Sequence, residues 1–90
     1  MVKVIISHEV KNFTDWKKGF DKDETNRVRA GVKITGVYSS VSNPNYVTVI
    51  SEFPSAEAAN GFMKNPELKE NMNASGVISV PTVQILTPVY

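Results

Sequence analysis

The chain has 90 residues, with ten Lys and Arg against nine Asp and Glu, one histidine and no cysteine. Without cysteine it can form no disulfide, thiolate zinc site or iron–sulfur cluster, and one histidine cannot supply a multi-histidine metal site. The balanced charge offers no basic stripe for nucleic acid, and no apolar run is long enough to cross a membrane.

These limits lead to a set of expectations. We expect one domain spanning residues 1–90, with no metal, no cofactor, no nucleic-acid partner and no membrane partner. The N-terminus alternates apolar and polar residues instead of forming a signal-peptide core, which predicts a cytoplasmic protein. A chain of this size buries a modest core, so we expect a second copy of itself to add burial.

The first predicted elements are a strand over residues 2–10 and a helix after it. Alternation places one set of strand residues on a common face: Val2, Val4, Ile6, His8 and Val10. Asn12 is a good N-cap for the helix, and Gly31 suits its C-terminal cap. The buried stripe of this helix follows helical spacing through Phe13, Trp16, Phe20, Arg27 and Val28.

A hairpin is predicted next, with strands at residues 33–41 and 46–53 around the turn-rich residues 42–45. A four-residue loop would place Val41 opposite Tyr46 and Tyr38 opposite Val49. That register predicts one face made of Ile34, Gly36, Tyr38, Ser40, Val47, Val49, Ser51 and Phe53. The other face would hold Thr35, Val37, Ser39, Tyr46, Thr48, Ile50 and Glu52. A slip of one residue would exchange the faces.

The second half of the chain predicts another helical segment and a last strand. Ser55 is the expected N-cap, and Asn65-Pro66 ends this helix and starts a short second piece that Gly76 closes. The inward residues of the helix would be Ala59, Phe62 and Met63, and the short second piece carries Leu68 and Met72. The last strand, residues 82–87, carries Val83 and Ile85 on one face and Gln84 and Leu86 on the other.

The order β-α-β-β-α-β predicts an α+β, ferredoxin-like fold. Its four-stranded antiparallel sheet has the order 4-1-3-2, with the helices on one face. The second sheet face carries apolar residues among Ser and Thr: Ile5, Val37, Ile50 and Leu86. Exposed apolar surface of this kind marks an interface, so we expect two sheets to pack face to face as a homodimeric α+β barrel.

Residues 10–20, VKNFTDWKKGF, and residues 52–59, EFPSAEAA, resemble the dimeric α+β barrel superfamily, including antibiotic-biosynthesis monooxygenase-like and stress-responsive barrel proteins. Phe62 and residues 66–69, PELK, extend the resemblance. It implies a small-ligand site between sheet and helices. Members include cofactor-independent oxygenases, cyclases, haem-degrading enzymes and isomerases. The histidine that haem degraders carry on a late helix is missing from residues 55–76, and the second histidine of the cyclases has no counterpart.

The predicted sheet and first helix bring candidate site residues to one end of the fold. His8 could act as a general base, and Tyr38 could donate a hydrogen bond to a developing enolate oxygen. The expected ligand-binding residues are Trp16, Phe20, Ser51, Phe53 and Phe62.

Two functions remain open. The first is a homodimeric small-molecule-binding protein, with or without oxygenase- or cyclase-like activity on a hydrophobic or aromatic metabolite. The second is a non-catalytic stress-responsive or ligand-sensing barrel in which His8 is structural. In that alternative Trp16, Phe20 and Phe62 are core residues, as their helical spacing also allows.

Overall fold

The structure, a computed structural model, describes residues 1–89. Within them the elements are β1 (Val2–Glu9), α1 (Phe13–Lys22), α2 (Glu24–Arg29), β2 (Lys33–Ser39), β3 (Tyr46–Phe53), α3 (Ala56–Lys64), α4 (Pro66–Ala74) and β4 (Thr82–Leu86). The strands form one antiparallel sheet in the order β2-β3-β1-β4. The predicted ferredoxin-like fold and strand order are therefore confirmed. None of the helices within residues 1–89 has the length and apolar character needed to cross a membrane.

Short polar side chains start the helices where the sequence indicated. The Asn12 side chain accepts a hydrogen bond from the Asp15 amide at 3.1 Å, and Ser55 accepts one from the Ala58 amide at 3.1 Å. Each bond satisfies an amide that has no partner inside the helix. Gly31, with φ of 76°, makes the left-handed turn that leads into β2.

The aromatic helix predicted as one segment is two helices, separated at Asp23. The break changes the direction that the following side chains face, so the apolar stripe does not continue in phase. Arg27 is buried as the spacing predicted, whereas Val28 is 67% exposed and its predicted burial is wrong. The break therefore puts a charged residue, and not a valine, against the interior.

The core lies between the helices and one face of the sheet, in two clusters. The first consists of Val4, Ile6, Val32, Phe53 and Ala59. The second consists of Val10, Trp16, Val47 and Val49. Alternation along β1 and β3 supplies these clusters with every second residue of each strand.

The β2–β3 hairpin differs from the prediction by one residue. Val37 pairs with Val49 and Tyr38 with Thr48, because the Ser40 amide bonds the Tyr46 carbonyl at 2.8 Å. The loop is thus residues 41–45, one more than the four expected. Val37 consequently faces the helices, where it packs against the second cluster. The predicted faces of Val37 and Tyr38 are wrong.

A β-bulge between Ile34 and Gly36 corrects the register further along the same strand. Thr35 is the additional residue, and beyond it Ile34 pairs with Ser51. Ile34 therefore faces the helices as predicted, and it packs against both core clusters. Gly36 pairs with Ile50, so its predicted place on the helix face is also wrong.

The other sheet face, which we call the open face, has an apolar centre. Ile5 and Ile50 are direct cross-strand neighbours there, next to Gly36. The ring of Tyr38 lies over Gly36, since a Cβ on that glycine would be 2.5 Å from the tyrosine Cε2. An aromatic ring thus covers the backbone that the glycine leaves bare.

Asn45 fastens the hairpin loop to the junction between β1 and α1. Its carbonyl accepts a hydrogen bond from the Val10 amide at 2.8 Å. Its side-chain oxygen accepts another from the Phe13 amide at 3.0 Å. The loop and the first turn of α1 are therefore held together by two bonds from one residue.

Candidate functional site

A cavity of about 810 Å³ lies between the helices and the covered face of the sheet. Ligand pockets of roughly 300–1,000 Å³ accommodate drug-sized molecules. The cavity wall brings together most of the predicted site residues: His8, Trp16, Phe20, Ser51, Phe53 and Phe62. Their role in binding stays a prediction, but their convergence is a property of the fold.

Four of the lining side chains form a continuous row of ring contacts. His8 meets Trp16 with ring centroids 5.7 Å apart and planes at 70°. Trp16 meets Phe20 at 5.1 Å, and the Arg27 guanidinium carbon lies 3.8 Å from the Phe20 ring centroid. The titratable base His8 and the cation Arg27 therefore lie at opposite ends of the Trp16–Phe20 pair.

His8 is 3% exposed, on the same face of β1 as Val4 and Ile6. Its Nδ1 has no hydrogen-bond partner within residues 1–89. Burial lowers the pKa of His8, and the nearby backbone of the same residue partly opposes this shift without a hydrogen bond of good geometry. The imidazole is consequently neutral at pH 7, the form that can accept a proton.

Arg27 also lines the cavity, although the sequence placed it only on the buried stripe and assigned it to no site. It is 9% exposed, yet its guanidinium is in no ion pair within residues 1–89. Burial lowers the pKa of Arg27, whereas the negative charges of Asp23, Glu24 and Asp21 raise it. A cation in a stripe of aromatic residues was the available signal, since arginine is rarely this buried without a partner.

The far wall of the cavity is made of aromatic and flexible apolar side chains. Phe53 and Phe62 meet edge to face with centroids 5.3 Å apart. Met63, Leu68 and Met72 continue this wall from α3 and α4. Methionine adapts its shape readily, so this wall can adjust to different ligand outlines.

Ser51 lines the cavity, but its hydroxyl is already engaged. It donates to the Val4 carbonyl at 3.4 Å, across the β1–β3 pair. This bond satisfies the hydroxyl inside the protein, which makes Ser51 a small part of the wall and a weak candidate for proton transfer.

Tyr38 does not line the cavity. It is 57% exposed on the open face, as the shifted hairpin register dictates. The predicted convergence of Tyr38 with His8 is therefore wrong, because the sheet separates the two side chains. A tyrosine hydroxyl at this position cannot stabilise an oxyanion formed inside the cavity of the same chain.

The rim of the cavity is polar, and its charged residues are Lys11, Asp15, Lys18, Lys22 and Asp23. No group of three or more His, Cys, Asp or Glu within residues 1–89 is arranged to hold a metal ion. α1 and α4 approach each other closely at one point of the cavity wall. A Cβ added to Gly19 of α1 would lie 2.8 Å from the hydroxyl oxygen of Ser75 at the C-terminal end of α4.

The fold is shared with several solved structures. The chain is 18% identical to a proposed antibiotic biosynthesis monooxygenase from Bordetella bronchiseptica, covering 99% of this chain and 97% of that one, with a TM-score of 0.76. It is 12% identical to a mutant of SnoaB, a cofactor-independent oxygenase from Streptomyces nogalater, with 99% and 93% covered and a TM-score of 0.74. A protein from Agrobacterium tumefaciens is 22% identical, with 99% and 94% covered and a TM-score of 0.67.

The superfamily resemblance seen in the sequence is therefore confirmed at the level of fold. No curated protein matches the sequence. A family model described as a domain of unknown function, DUF3764, matches residues 2–85. Since that match covers nearly the whole chain, the protein belongs to the DUF3764 family.

Proposed function

We propose that this protein binds a hydrophobic or aromatic metabolite in the cavity and that His8 acts on it as a general base. The observation that carries the proposal is the neutral imidazole of His8 in the wall of an 810 Å³ cavity, with Nδ1 unpartnered. A buried nitrogen without a hydrogen bond costs about 1–3 kcal/mol. Because Nδ1 is itself buried, a bound ligand would offset that cost through a rotation of the imidazole that brings this nitrogen to the cavity surface.

The chemistry requires little from the protein besides positioning and one proton transfer. His8 would take a proton from a phenol or from an activated C–H, leaving a substrate anion in a cavity walled by Trp16 and Phe20. Oxygenation without a cofactor needs the substrate itself to become such an electron-rich anion. The shared fold with a protein described as a cofactor-independent oxygenase supports this direction.

Anthrone provides a direct test, because it has an activated C–H and its anion is oxidised by dioxygen to anthraquinone and water. We expect the protein to accelerate this oxidation, followed by absorbance, and His8→Gln to abolish the acceleration with little change in Tm. Tyr38→Phe is the matched control, since Tyr38 lies on the open face, and it should leave the rate unchanged. A wild-type rate equal to that in buffer would defeat the proposed catalysis.

A non-catalytic, ligand-sensing protein is the second candidate. The edge-to-face packing of His8 on Trp16 favours it, because this contact also gives the imidazole a structural role. In that case a neutral aromatic compound binds without being turned over. His8→Gln would then lower Tm by several degrees, as loss of a buried packing residue does in a domain of this size.

We further propose that a second copy of the chain covers the open face. The paired Ile5 and Ile50 form an apolar centre there, and Leu86 adds exposed apolar surface at 42%. Lys3 and Lys33 flank Glu52 in the cross-strand register, which would keep the outer part of this surface polar. An apolar centre with a polar margin is the usual anatomy of a protein interface.

A further inference from the structure

We propose that the cavity selects ligands that carry a carboxylate and that Arg27 is the residue that binds it. This inference rests on the proposed binding of an aromatic molecule in the same cavity and adds the chemical class of the ligand. It assigns no chemical step to Arg27. His8 remains the base, and Arg27 determines which molecules are held beside it.

The position of Arg27 suits a carboxylate. Arg27 is 9% exposed as a residue and lines the cavity, and its guanidinium carbon lies 3.8 Å from the centroid of Phe20. Stacking on a ring occupies a face of the guanidinium and leaves its N–H groups directed outward in the plane. Those groups form a rigid fork that matches the two oxygens of a carboxylate.

The protein itself leaves this fork without a partner. Within residues 1–89 the only ion pair joins Lys17 to Asp21 at 2.7 Å, which occupies one of the nearby carboxylates. Asp23, at the start of α2, accepts a hydrogen bond from the Asn26 side chain at 2.6 Å. No guanidinium nitrogen of Arg27 within residues 1–89 is both fully buried and unpaired, so the fork keeps accessible surface through which a carboxylate can reach it. Pairing with a carboxylate would offset the cost of the partial burial of this cation.

The charges around the cavity favour the same ligand class. Four basic side chains line it, Lys11, Lys18, Lys22 and Arg27, against two acidic ones, Asp15 and Asp23. The lysines belong to the rim, so they would raise the local concentration of an anion before it enters. Arg27 is the buried member of this set, and it alone stacks closely on the aromatic wall.

The row of ring contacts also orients the ligand. Trp16 and Phe20 separate His8 from Arg27, with successive contacts of 5.7, 5.1 and 3.8 Å. A ligand whose ring system lies along Trp16 and Phe20 would present its carboxylate to Arg27 at one end. The part of the molecule that meets His8 would then be at the opposite end of the ring system.

Two probes of nearly equal shape test the inference, 2-naphthoate and 2-naphthamide, which differ in charge. Trp16 is the only tryptophan, so its indole N–H gives one unambiguous NMR cross-peak in the cavity wall. We expect both probes to shift this peak in the wild-type protein. The carboxylate should bind about tenfold or more tightly than the amide, as hydrogen bonds to a charged group imply.

Three variants assign that preference to Arg27. Arg27→Gln should bring the two affinities to within about threefold, with a much larger loss for the carboxylate than for the amide. Arg27→Lys should keep part of the preference, because it retains the charge and loses the fork. Arg29→Gln removes an exposed arginine from the same helix and should change neither affinity.

Equal affinity of the two probes for the wild-type protein would overturn the inference and leave the aromatic site intact. A preference that survives Arg27→Gln would overturn it as well, by assigning the effect to the lysine rim. If Arg27→Gln does not fold, a preference undiminished in Arg27→Lys would do the same. If neither probe shifts the Trp16 peak, both the inference and the proposed binding function fail.

Discussion

The imidazole of His8 and the indole of Trp16 pack edge to face, with centroids 5.7 Å apart and an interplanar angle of 70°. The contact fixes where the only histidine of the chain can point, because β1 holds one ring and the first turn of α1 holds the other. It also surrounds the histidine with apolar surface. Its protonation therefore has consequences for the stability of the fold.

The first prediction concerns pH. Burial lowers the pKa of His8 below its ordinary value of about 6.5 in the unfolded chain. Above pH 6.5 both states are mostly neutral at this residue, so His8 contributes no pH dependence there. As the pH falls below that value the unfolded state takes up the proton first, and the free energy of unfolding decreases. Below the folded-state pKa the decrease from His8 levels off.

Chemical unfolding at pH 7.5 and 5.5 measures this effect, and His8→Gln is the reference because its side chain does not titrate. The wild-type protein should lose more stability than the variant over this interval. Equal losses would contradict the prediction. So would an NMR titration of the single histidine that gives a pKa above 6.5.

The second prediction compares two glycines in helices. Gly61 of α3 has nothing within 4 Å of an added Cβ, so Gly61→Ala should stabilise the protein by about 0.8–1 kcal/mol. Gly19→Ala should give much less, because its Cβ would meet the Ser75 hydroxyl at 2.8 Å. Urea unfolding at neutral pH measures both changes.

The double variant Gly19→Ala/Ser75→Ala separates the two contributions at that position. Measured against Ser75→Ala alone, the added alanine should recover the gain expected from helix propensity. Equal stabilisation by Gly19→Ala and Gly61→Ala in the wild-type background would show that the close approach of α1 and α4 has no energetic effect.

The third prediction concerns Phe53, the ring that joins the core to the cavity wall. It is 1% exposed and packs on Phe62, so Phe53→Ala should destabilise the protein by about 3–5 kcal/mol. Val41→Ala, in the exposed hairpin loop, is the control and should change stability by less than about 0.5 kcal/mol. A loss near 1 kcal/mol for Phe53→Ala would mean that the site collapses around the missing ring.

The fourth prediction tests the proposed dimer. Ile50→Lys places a charge at the centre of the open face, next to Ile5, and should convert a dimer to monomer at micromolar concentration. Light scattering gives the molar mass directly. Val41→Lys adds the same charge in the hairpin loop and should leave the mass unchanged. A monomeric wild-type protein under these conditions would defeat the dimer proposal.

The sequence predicted the strand order and both helical segments because the residue patterns that indicate them are local and repeated. Asn12 and Ser55 mark helix starts with caps that the structure contains. The alternation along residues 2–10 predicts a buried strand face, and this prediction does not depend on the register of the β2–β3 hairpin. These predictions tolerate an error at a single position, since several residues support each of them.

The register of the β2–β3 hairpin was not predictable in the same way. It depends on the length of the loop, and a single backbone hydrogen bond determines that length. The bond between Ser40 and Tyr46 adds one residue to the loop and turns Tyr38 away from the cavity. The bulge at Thr35 then restores Ile34 to the core. The longer loop and the bulge shift the pairing register of β2 in opposite directions. Their effects nearly cancel in the alternation of apolar and polar residues along β2, so the sequence pattern reveals neither of them.

Arg27 escaped assignment for a different physical reason. Helical spacing indicated that it would be buried, but spacing says nothing about whether a buried charge has a partner. That depends on where Asp21 and Asp23 direct their carboxylates, and both are engaged elsewhere. The missing counter-ion is a property of three-dimensional neighbours and has no signature along the chain.

The two bonds of Asn45 have a consequence for how a ligand enters. They tie the hairpin loop to β1 and α1, so the end of the cavity beside His8 and Trp16 is anchored to the sheet. Among the helices that line the cavity, α4 has no fully buried residue, and α2 has Arg27 alone. Elements with few buried contacts open at the lowest free-energy cost. For the proposed ligand, exchange should therefore be controlled by the outward motion of α2 and α4, and these two helices should set its residence time.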